Sequence, residues 1–496
     1  MKKTMQRRHL ILAPVFFLML HYSATAQNQN ADSLTLQYSN GPAVIYTPQQ
    51  CVDSAIRNNL GVKGYDFTAQ LAKTARLQQV GNMLPTLNGY GSFQNIGGKS
   101  VDYTTYQYVN QNYNQGYYQL QGQFILWNGG SLVNFLKQYS LAYDADKKDL
   151  QYQRDLITVT VILDYLQVLS AEEQLALAQS QAADTRHRVD LMKIQDSLGA
   201  ITPSDYIDAK GLLNASEVTI VQTKNQLETA KLTLAQAMNV PYSPNMDIVK
   251  LSVDPNPVMY NASADQVYQN ATTHLAAVDA VNLHLESAIK GVKAWRGNMA
   301  PTLSLFYQVY TNYASTSTAS TPLGTAYVLD NGAYTLYNGS QLPIYSEQQN
   351  YSPSKPVSFG TQFQQNVYKT VGLQVSIPIL NRLSYRVSYE NSKIALAQAQ
   401  FNQKTTMNQL RQAVESNYVQ MVQALRLYNT YYNEVQNYDE SYRQAQIKYN
   451  AGALPSLSFV IYNTNKNQAE LNLINAKYSY LLQTKILDYY QGQLTW

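Results

Sequence analysis

From Ser131 to Leu198 the chain contains neither glycine nor proline, and the same holds from Ile379 to Ala451. Those two residue types most readily end a helix. Ala, Leu, Gln, Lys and Glu are frequent in both stretches, so each predicts one unbroken helix, about 100 Å long at 1.5 Å per residue. The apolar spacing says what such rods lie against. Tyr418, Met421, Leu425, Tyr428, Tyr432 and Val435 step 3-4-3-4-3; Leu156, Val159, Leu163 and Leu166 step 3-4-3, as do Leu471, Ile474, Tyr478 and Leu481. A 3.5-residue repeat holds a seam against a neighbouring helix over long distances. The seam shifts register along the chain, which suits a helix with neighbours on more than one side.

Both rods stop at similar turns, "LGAITPSD" (Leu198–Asp205) and "AGALPSLS" (Ala451–Ser458). Gly199 and Gly452 suit the left-handed conformation that ends a helix, and Pro203 and Pro455 suit the first turn of the next. The returning helices run to about Met238 and Gln491.

The likeness of the turns is part of a duplication. "GNMLPTL" spans Gly81–Leu87 and "GNMAPTL" spans Gly297–Leu303, an offset of 216. Each closes a helical stretch, meets a proline (Pro85 or Pro301), and gives way to a period of two. Leu303, Leu305, Tyr307 and Val309 alternate with Ser304, Phe306 and Gln308. Val371, Leu373, Val375 and Ile377 alternate with Gly372, Gln374 and Ser376. In the first copy Tyr118, Leu120, Gly122, Phe124 and Leu126 alternate with Gln119, Gln121, Gln123 and Ile125. Such strands carry one apolar and one wet face. Polar loops are expected between the paired strands, at about residues 95–117 and 311–366. Asn128 after the first hairpin matches Asn381 after the second, an offset of 253, so the second hairpin holds the extra residues (253 − 216 = 37).

The domain organisation expected is a signal segment, 1–26, and an N-terminal segment, 27–46. A first repeat, 47–241, holds a helix, a hairpin at about 86–127, a long helix 128–198 and a returning helix 203–238. A connector, 242–263, joins it to a second repeat, 264–491, with a hairpin at about 302–380, a long helix 382–450 and a returning helix 456–491. A tail, 492–496, follows. The signal reading rests on Lys2, Lys3, Arg7 and Arg8 ahead of the short apolar run "LILAPVFFLML" and the small residues Ala24-Thr25-Ala26. Removing those residues takes the net charge to (36 − 4) − 32 = 0, which leaves no electrostatic footprint for nucleic acid. The single cysteine, Cys51, excludes an intrachain disulfide. His187, His274 and His284 lack the close spacing of a metal motif and are read as surface or packing residues. Neither GxSxG, Walker nor HExxH patterns occur, so neither catalysis nor a cofactor or metal is expected.

Four alternating strands of about ten residues match an outer-membrane barrel, yet four cannot close one. An open sheet leaves edges that invite pairing. Three copies would supply twelve strands, with lipid outside and Gln119, Gln121, Gln123, Gln374 and Ser376 facing the lumen. The fold class expected is thus a membrane β-barrel continuing into a long coiled-coil helical tunnel, with internal duplication.

The ordered set of the duplicated LPTL/APTL junction, "WNGG" and "PILNR" at the strand-to-helix junctions, and the "LGAITPSD"/"AGALPS" turns resembles the TolC-like outer membrane efflux protein family, over about residues 47–491. The first copy departs in having Ile125 where the second has Pro378. The resemblance implies a homotrimeric duct in the outer membrane of a Gram-negative bacterium, with a large periplasmic portion. It also implies a periplasmic adaptor coupling the duct to an inner-membrane pump, and no enzymatic activity. Gly199, Ala200, Ile201, Pro203, Gly452, Ala453, Leu454 and Pro455 would then meet the adaptor, with Ile201 and Leu454 as exposed apolar tips. Asp205 stands where family members carry an aspartate that constricts the periplasmic entrance, and Asp208 lies one turn on. Thr202-Pro203-Ser204-Asp205 reads more readily as a helix cap, and Leu454 occupies the place of the arginine that pairs with that aspartate in some members. Trp127 and Trp295 beside the junctions suit an aromatic belt or helix–sheet packing. Export of proteins instead of small molecules, and a non-conducting coiled-coil envelope scaffold, are the alternatives.

Overall fold

The computed structural model describes residues 44–102, 106–110, 112–250 and 258–493. The expected signal, nearly all of the N-terminal segment, the middle of the connector and the last three residues lie outside the described residues. In chain order, β1 (Val44–Tyr46) leads to α1 (Pro48–Asn58) and α2 (Leu60–Gly81). Then come β2 (Thr86–Ile96), the short β3 (Lys99–Asp102) and β4 (Gln107–Asn110), and β5 (Tyr113–Trp127). The rods α3 (Ser131–Ser197) and α4 (Pro203–Ala237) follow, then β6 (Met246–Ile248). The second half runs α5 (Ala264–His274), α6 (Ala276–Gly297), β7 (Thr302–Ala314), β8 (Thr318–Ala319), β9 (Pro322–Tyr337), β10 (Ser340–Tyr351), β11 (Lys355–Pro356), α7 (Phe359–Gln365), β12 (Tyr368–Ser376), α8 (Ser384–Asn450) and α9 (Ser456–Tyr490).

The helices of the two halves match: α3 and α8 have 67 residues each, and α4 and α9 have 35. Even the first helical stretch breaks at equivalent positions, Asn59 (ψ 124°) and Leu275 (ψ 128°), where the extended backbone ends one helix and starts the next. Thr47 and Ser263 open the two stretches with matching capping boxes to Gln50 and Gln266. Among the described residues no helix is long and apolar enough to cross a membrane.

The expected loops are in part ordered strands. β3 and β4 pair with each other, and β9 and β10 form a long hairpin around Asn338 (φ 48°) and Gly339 (φ 73°). Two successive positive φ values are the two-residue hairpin turn that Asn-Gly favours. Between β7 and β12 lie residues 315–367, and between β2 and β5 residues 97–112, which places the whole 37-residue surplus (53 − 16 = 37) in this excursion.

The core sits around the middle of the rods. Val161, Tyr165 and Val168 of α3 pack with Leu234 and Met238 at the end of α4, with Cys51 and Val52 of α1, and with Met246 and Ile248. β1 pairs in parallel with β6 there, and the Tyr165 hydroxyl donates to the Val249 carbonyl at 2.6 Å. Val267, Val414, Met421 and Leu487, the repeat-equivalents of Cys51, Val161, Val168 and Leu234, form the matching cluster. Burial pushes the Cys51 thiol up to about 12 and leaves it inert.

Burial also raises the Asp164 carboxyl on α3 to about 6. A folded pKa above the unfolded value means the charge costs stability, absent below pH 4 and complete above pH 6. Asp164→Asn is therefore expected to raise the thermal midpoint at pH 8, with the gain gone at pH 4. Equal midpoints at both pH values would show that the carboxylate is well solvated.

Candidate functional site

Alternation along four strands builds a two-faced sheet in the order β12-β7-β5-β2, antiparallel throughout. The register settles the faces. Gln119, Gln121 and Gln123 stand opposite Tyr90, Asn88 and Thr86 on one side and Tyr310, Gln308 and Phe306 on the other. Gln374 and Ser376 stand opposite Ser304 and Thr302, in the same row. All five residues therefore share one polar face. Hydrogen bonds run across it: Gln123 Nε2 donates to Ser304 Oγ at 3.0 Å, and Tyr117 Oη to Gln119 Oε1 at 3.0 Å.

The reverse face carries Leu120, Phe124, Leu303, Leu305, Tyr307, Val309, Val371, Leu373 and Val375. A bulge between Ile125 and Trp127 places Trp127 opposite Leu303, on this apolar side. Trp295 has a different role, edge-on to Phe135 at 5.3 Å in the seam between α6 and α3. On the apolar side α7 covers one end of the sheet. Phe359 and Phe363 pack on Tyr118, and the buried Gln362 closes a two-way hydrogen bond with the backbone of Ala314.

Among the described residues both outer strands, β12 and β2, lack a neighbour on their far side. The helices show the same incompleteness. α6 lies along α3, burying Ser287, Gly291, Ala294 and Gly297. The repeat-equivalents on α2 include Leu71, Gln78 and Gly81, all exposed. Phe67, Leu77 and Leu84 are exposed beside them, as are Val387, Ile394 and Phe401 on α8. The chain holds one interface between its halves and leaves the reciprocal surfaces bare.

At the far end of the rods the two turns are superposable in design. Gly199 (φ 63°) and Gly452 (φ 71°) are left-handed. Ala200 N–H donates to the Gln195 carbonyl at 2.8 Å and Ala453 N–H to Lys448 at 2.9 Å, the long bond of a Schellman cap. Gly199, Ala200, Pro203, Gly452, Ala453 and Pro455 are exposed. The exposure expected of Ile201 and Leu454 is not found. Both are half-buried, and Ile201 packs against Val189, Met192 and Ala209 because the cap folds it back onto its own coil. The apolar residue that does project is Leu198, 76% exposed.

The Asp205 carboxylate is engaged in a cap. Its Oδ2 accepts from Thr202 N–H at 3.2 Å and Thr202 Oγ at 2.8 Å, while Thr202 Oγ accepts from Asp205 N–H at 3.3 Å. Asp205 and Asp208 line a cleft of about 680 Å³ between the first coil and α9, floored by Met192, Leu212 and Phe459. Arg188 pins the coils together there. Its guanidinium lies 4.3 Å over the Phe459 ring and bonds the Tyr442 hydroxyl, a stacked pairing that favours arginine over lysine. No sequence spacing links Arg188 to residues that distant.

The fold recurs in solved structures. The chain is similar to the VceC outer membrane protein of Vibrio cholerae at 12% identity, covering 90% of this chain and 97% of that one, with a TM-score of 0.68. It is likewise similar to the CmeC outer membrane channel of Campylobacter jejuni (14% identity, 90% and 86% covered, TM-score 0.65). A third is the open state of the MtrE outer membrane channel of Neisseria gonorrhoeae (15%, 90% and 89%, 0.61). No curated protein matches the sequence. The outer membrane efflux protein family model matches residues 54–240 and 267–492, both repeats and nearly every element described above. The chain belongs to the outer membrane efflux protein family.

Proposed function

We propose that three copies of this chain close a twelve-stranded barrel in the outer membrane of a Gram-negative cell, continued by the rods as a periplasmic tunnel. The tunnel serves as the passive exit duct of an efflux system. The observation that carries this is the sheet, polar on one face and apolar on the other, with both edges open. A barrel abolishes such edges and gives the apolar face to lipid. Exposed α2 and α8 surfaces supply the helical part of the same contact. A periplasmic adaptor meets the turns at Gly199–Pro203 and Gly452–Pro455 and the cleft beside them, and an inner-membrane pump provides the energy. The duct moves solutes without chemistry.

Purified protein in a planar bilayer should give discrete, voltage-driven single-channel currents, and cells lacking it should accumulate a fluorescent efflux substrate. A protein that neither conducts nor changes accumulation would be a scaffold. In the same bilayer, Asp205→Ala should leave the current unchanged while loosening the start of α4, because the N3 half of its capping box is lost. A clear rise in conductance would instead make Asp205 a constriction.

A further inference from the structure

Asp146 and Asp149 lie three residues apart on α3, on one face of the helix. His284 reaches that face from α6, in the other repeat. Its Nε2 is 2.8 Å from Asp149 Oδ2 and 3.9 Å from Asp146 Oδ1, and one donor atom from each residue falls within 4.8 Å of the others. The side chains are 19% (Asp146), 31% (Asp149) and 42% (His284) exposed, so an ion can reach them from solvent. The lysines beside them are engaged elsewhere, Lys147 with Asp144 and Lys148 with Asp279. Among the described residues no lysine or arginine forms an ion pair with Asp146 or Asp149. Two carboxylates thus share one imidazole, and the cluster stays net negative whether or not that ring is protonated. Desolvation, then the neighbouring Asp149 charge, work to raise the Asp146 carboxyl against the pull of His284.

The structure assigns Asp146, Asp149 and His284 as a divalent-cation site of the zinc class, fastening α3 of the first repeat to α6 of the second. One imidazole and two carboxylates are a donor set that zinc accepts, with water completing four ligands. At ligand bonds of about 2.0–2.2 Å, two donors on one tetrahedral ion sit about 3.3 Å apart. The separations of 2.8 and 3.9 Å bracket that value, so small side-chain rotations close the site. The metal takes the place of the proton that otherwise bridges His284 and Asp149. Zinc takes the neutral imidazole, so protons compete with it for the site. Sequence spacing hid the site because its halves are far apart in the chain, on different repeats.

The test uses tag-free, full-length protein in detergent, stripped with a chelator and titrated calorimetrically with ZnCl2 at pH 7.5. One zinc per chain is expected, with affinity at least tenfold lower in both His284→Asn and Asp146→Asn. Absence of binding, or equal affinity in the variants, would show that the cluster is only a His–Asp ion pair. Wild-type protein gives a second reading that needs no variant. CoCl2 should produce the visible ligand-field bands of a four-coordinate site, displaced by zinc, and a spectrum of free aqueous cobalt overturns the assignment.

Discussion

Leu373→Arg is expected to cut the amount of membrane-inserted oligomer at least tenfold, while Gln374→Arg, one residue along, inserts normally. The two side chains leave β12 on opposite faces. Leu373 stands opposite Leu305, among Val371, Val375 and Val309, and Gln374 stands opposite Ser304 on the polar face. Arginine on the lipid side of a barrel costs about 2–4 kcal/mol near the bilayer midplane, and each 1.4 kcal/mol is a factor of ten. On the proposed lumen face the same charge would sit in water, where it should shift ion selectivity toward anions. Quantifying protein in washed outer membranes, with single-channel reversal potentials for Gln374→Arg, checks both halves. Normal insertion of Leu373→Arg together with loss of Gln374→Arg would invert the face assignment.

Gly297→Val should abolish accumulation of folded protein, whereas Gly81→Val at the equivalent place in the first repeat should leave the chain folded. The duplicated heptapeptides begin at these two glycines, but the chain uses them differently. A Cβ at Gly297 would lie 2.8 Å from the Gly129 carbonyl oxygen, 2.9 Å from Ser131 N and 3.1 Å from Ser131 Cα. Those atoms are backbone and do not rotate away, so the cost is about 3 kcal/mol, the upper end for overpacking. A Cβ at Gly81 would meet no atom within 4 Å beyond its chain neighbours and its own helical turn. The partner loop agrees. Gly129 (φ 66°) faces Gly297, whose carbonyl oxygen would lie 2.5 Å from a Cβ there, while Arg382 (φ 55°) keeps the same left-handed backbone in the second repeat without glycine. The internal junction therefore demands at position 129 a glycine that its counterpart does without. Circular dichroism and size-exclusion profiles distinguish the outcomes, and a folded Gly297→Val protein would mean that α6 and α3 separate easily.

Much of this was legible in the residues because it depends on local rules. Long runs without breakers specify α3 and α8, the period of two specifies β5, β7 and β12 with their faces, and Gly199 and Gly452 specify the turns. The breaks at Asn59 and Leu275 were less so. Leu275 has no side-chain cap and neither glycine nor proline beside it, so packing sets that break. The β9–β10 hairpin did leave a sign, Asn338-Gly339 between alternating residues, within a tract otherwise typical of a loop. The burial of Ile201, the Arg188 contact and the Asp146–Asp149–His284 cluster depend on which helix lies beside which, and spacing along one chain does not report that.

The register within the chain also predicts the register between copies. Gln121 stands opposite Gln308 where β5 meets β7, and the repeat-equivalents of those residues are Gln374 on β12 and Ser92 on β2. Within one chain β7 and β5 lie between Ser92 and Gln374, so they are at least three strand spacings apart, about 14 Å, too far for a disulfide. A double variant, Ser92→Cys with Gln374→Cys, should oxidise into a ladder ending at a covalent trimer on a denaturing gel. Each single variant should stay monomeric, because Cys51 is buried. Monomer alone from the double variant, or a ladder stopping at two chains, would contradict a barrel closed by three copies.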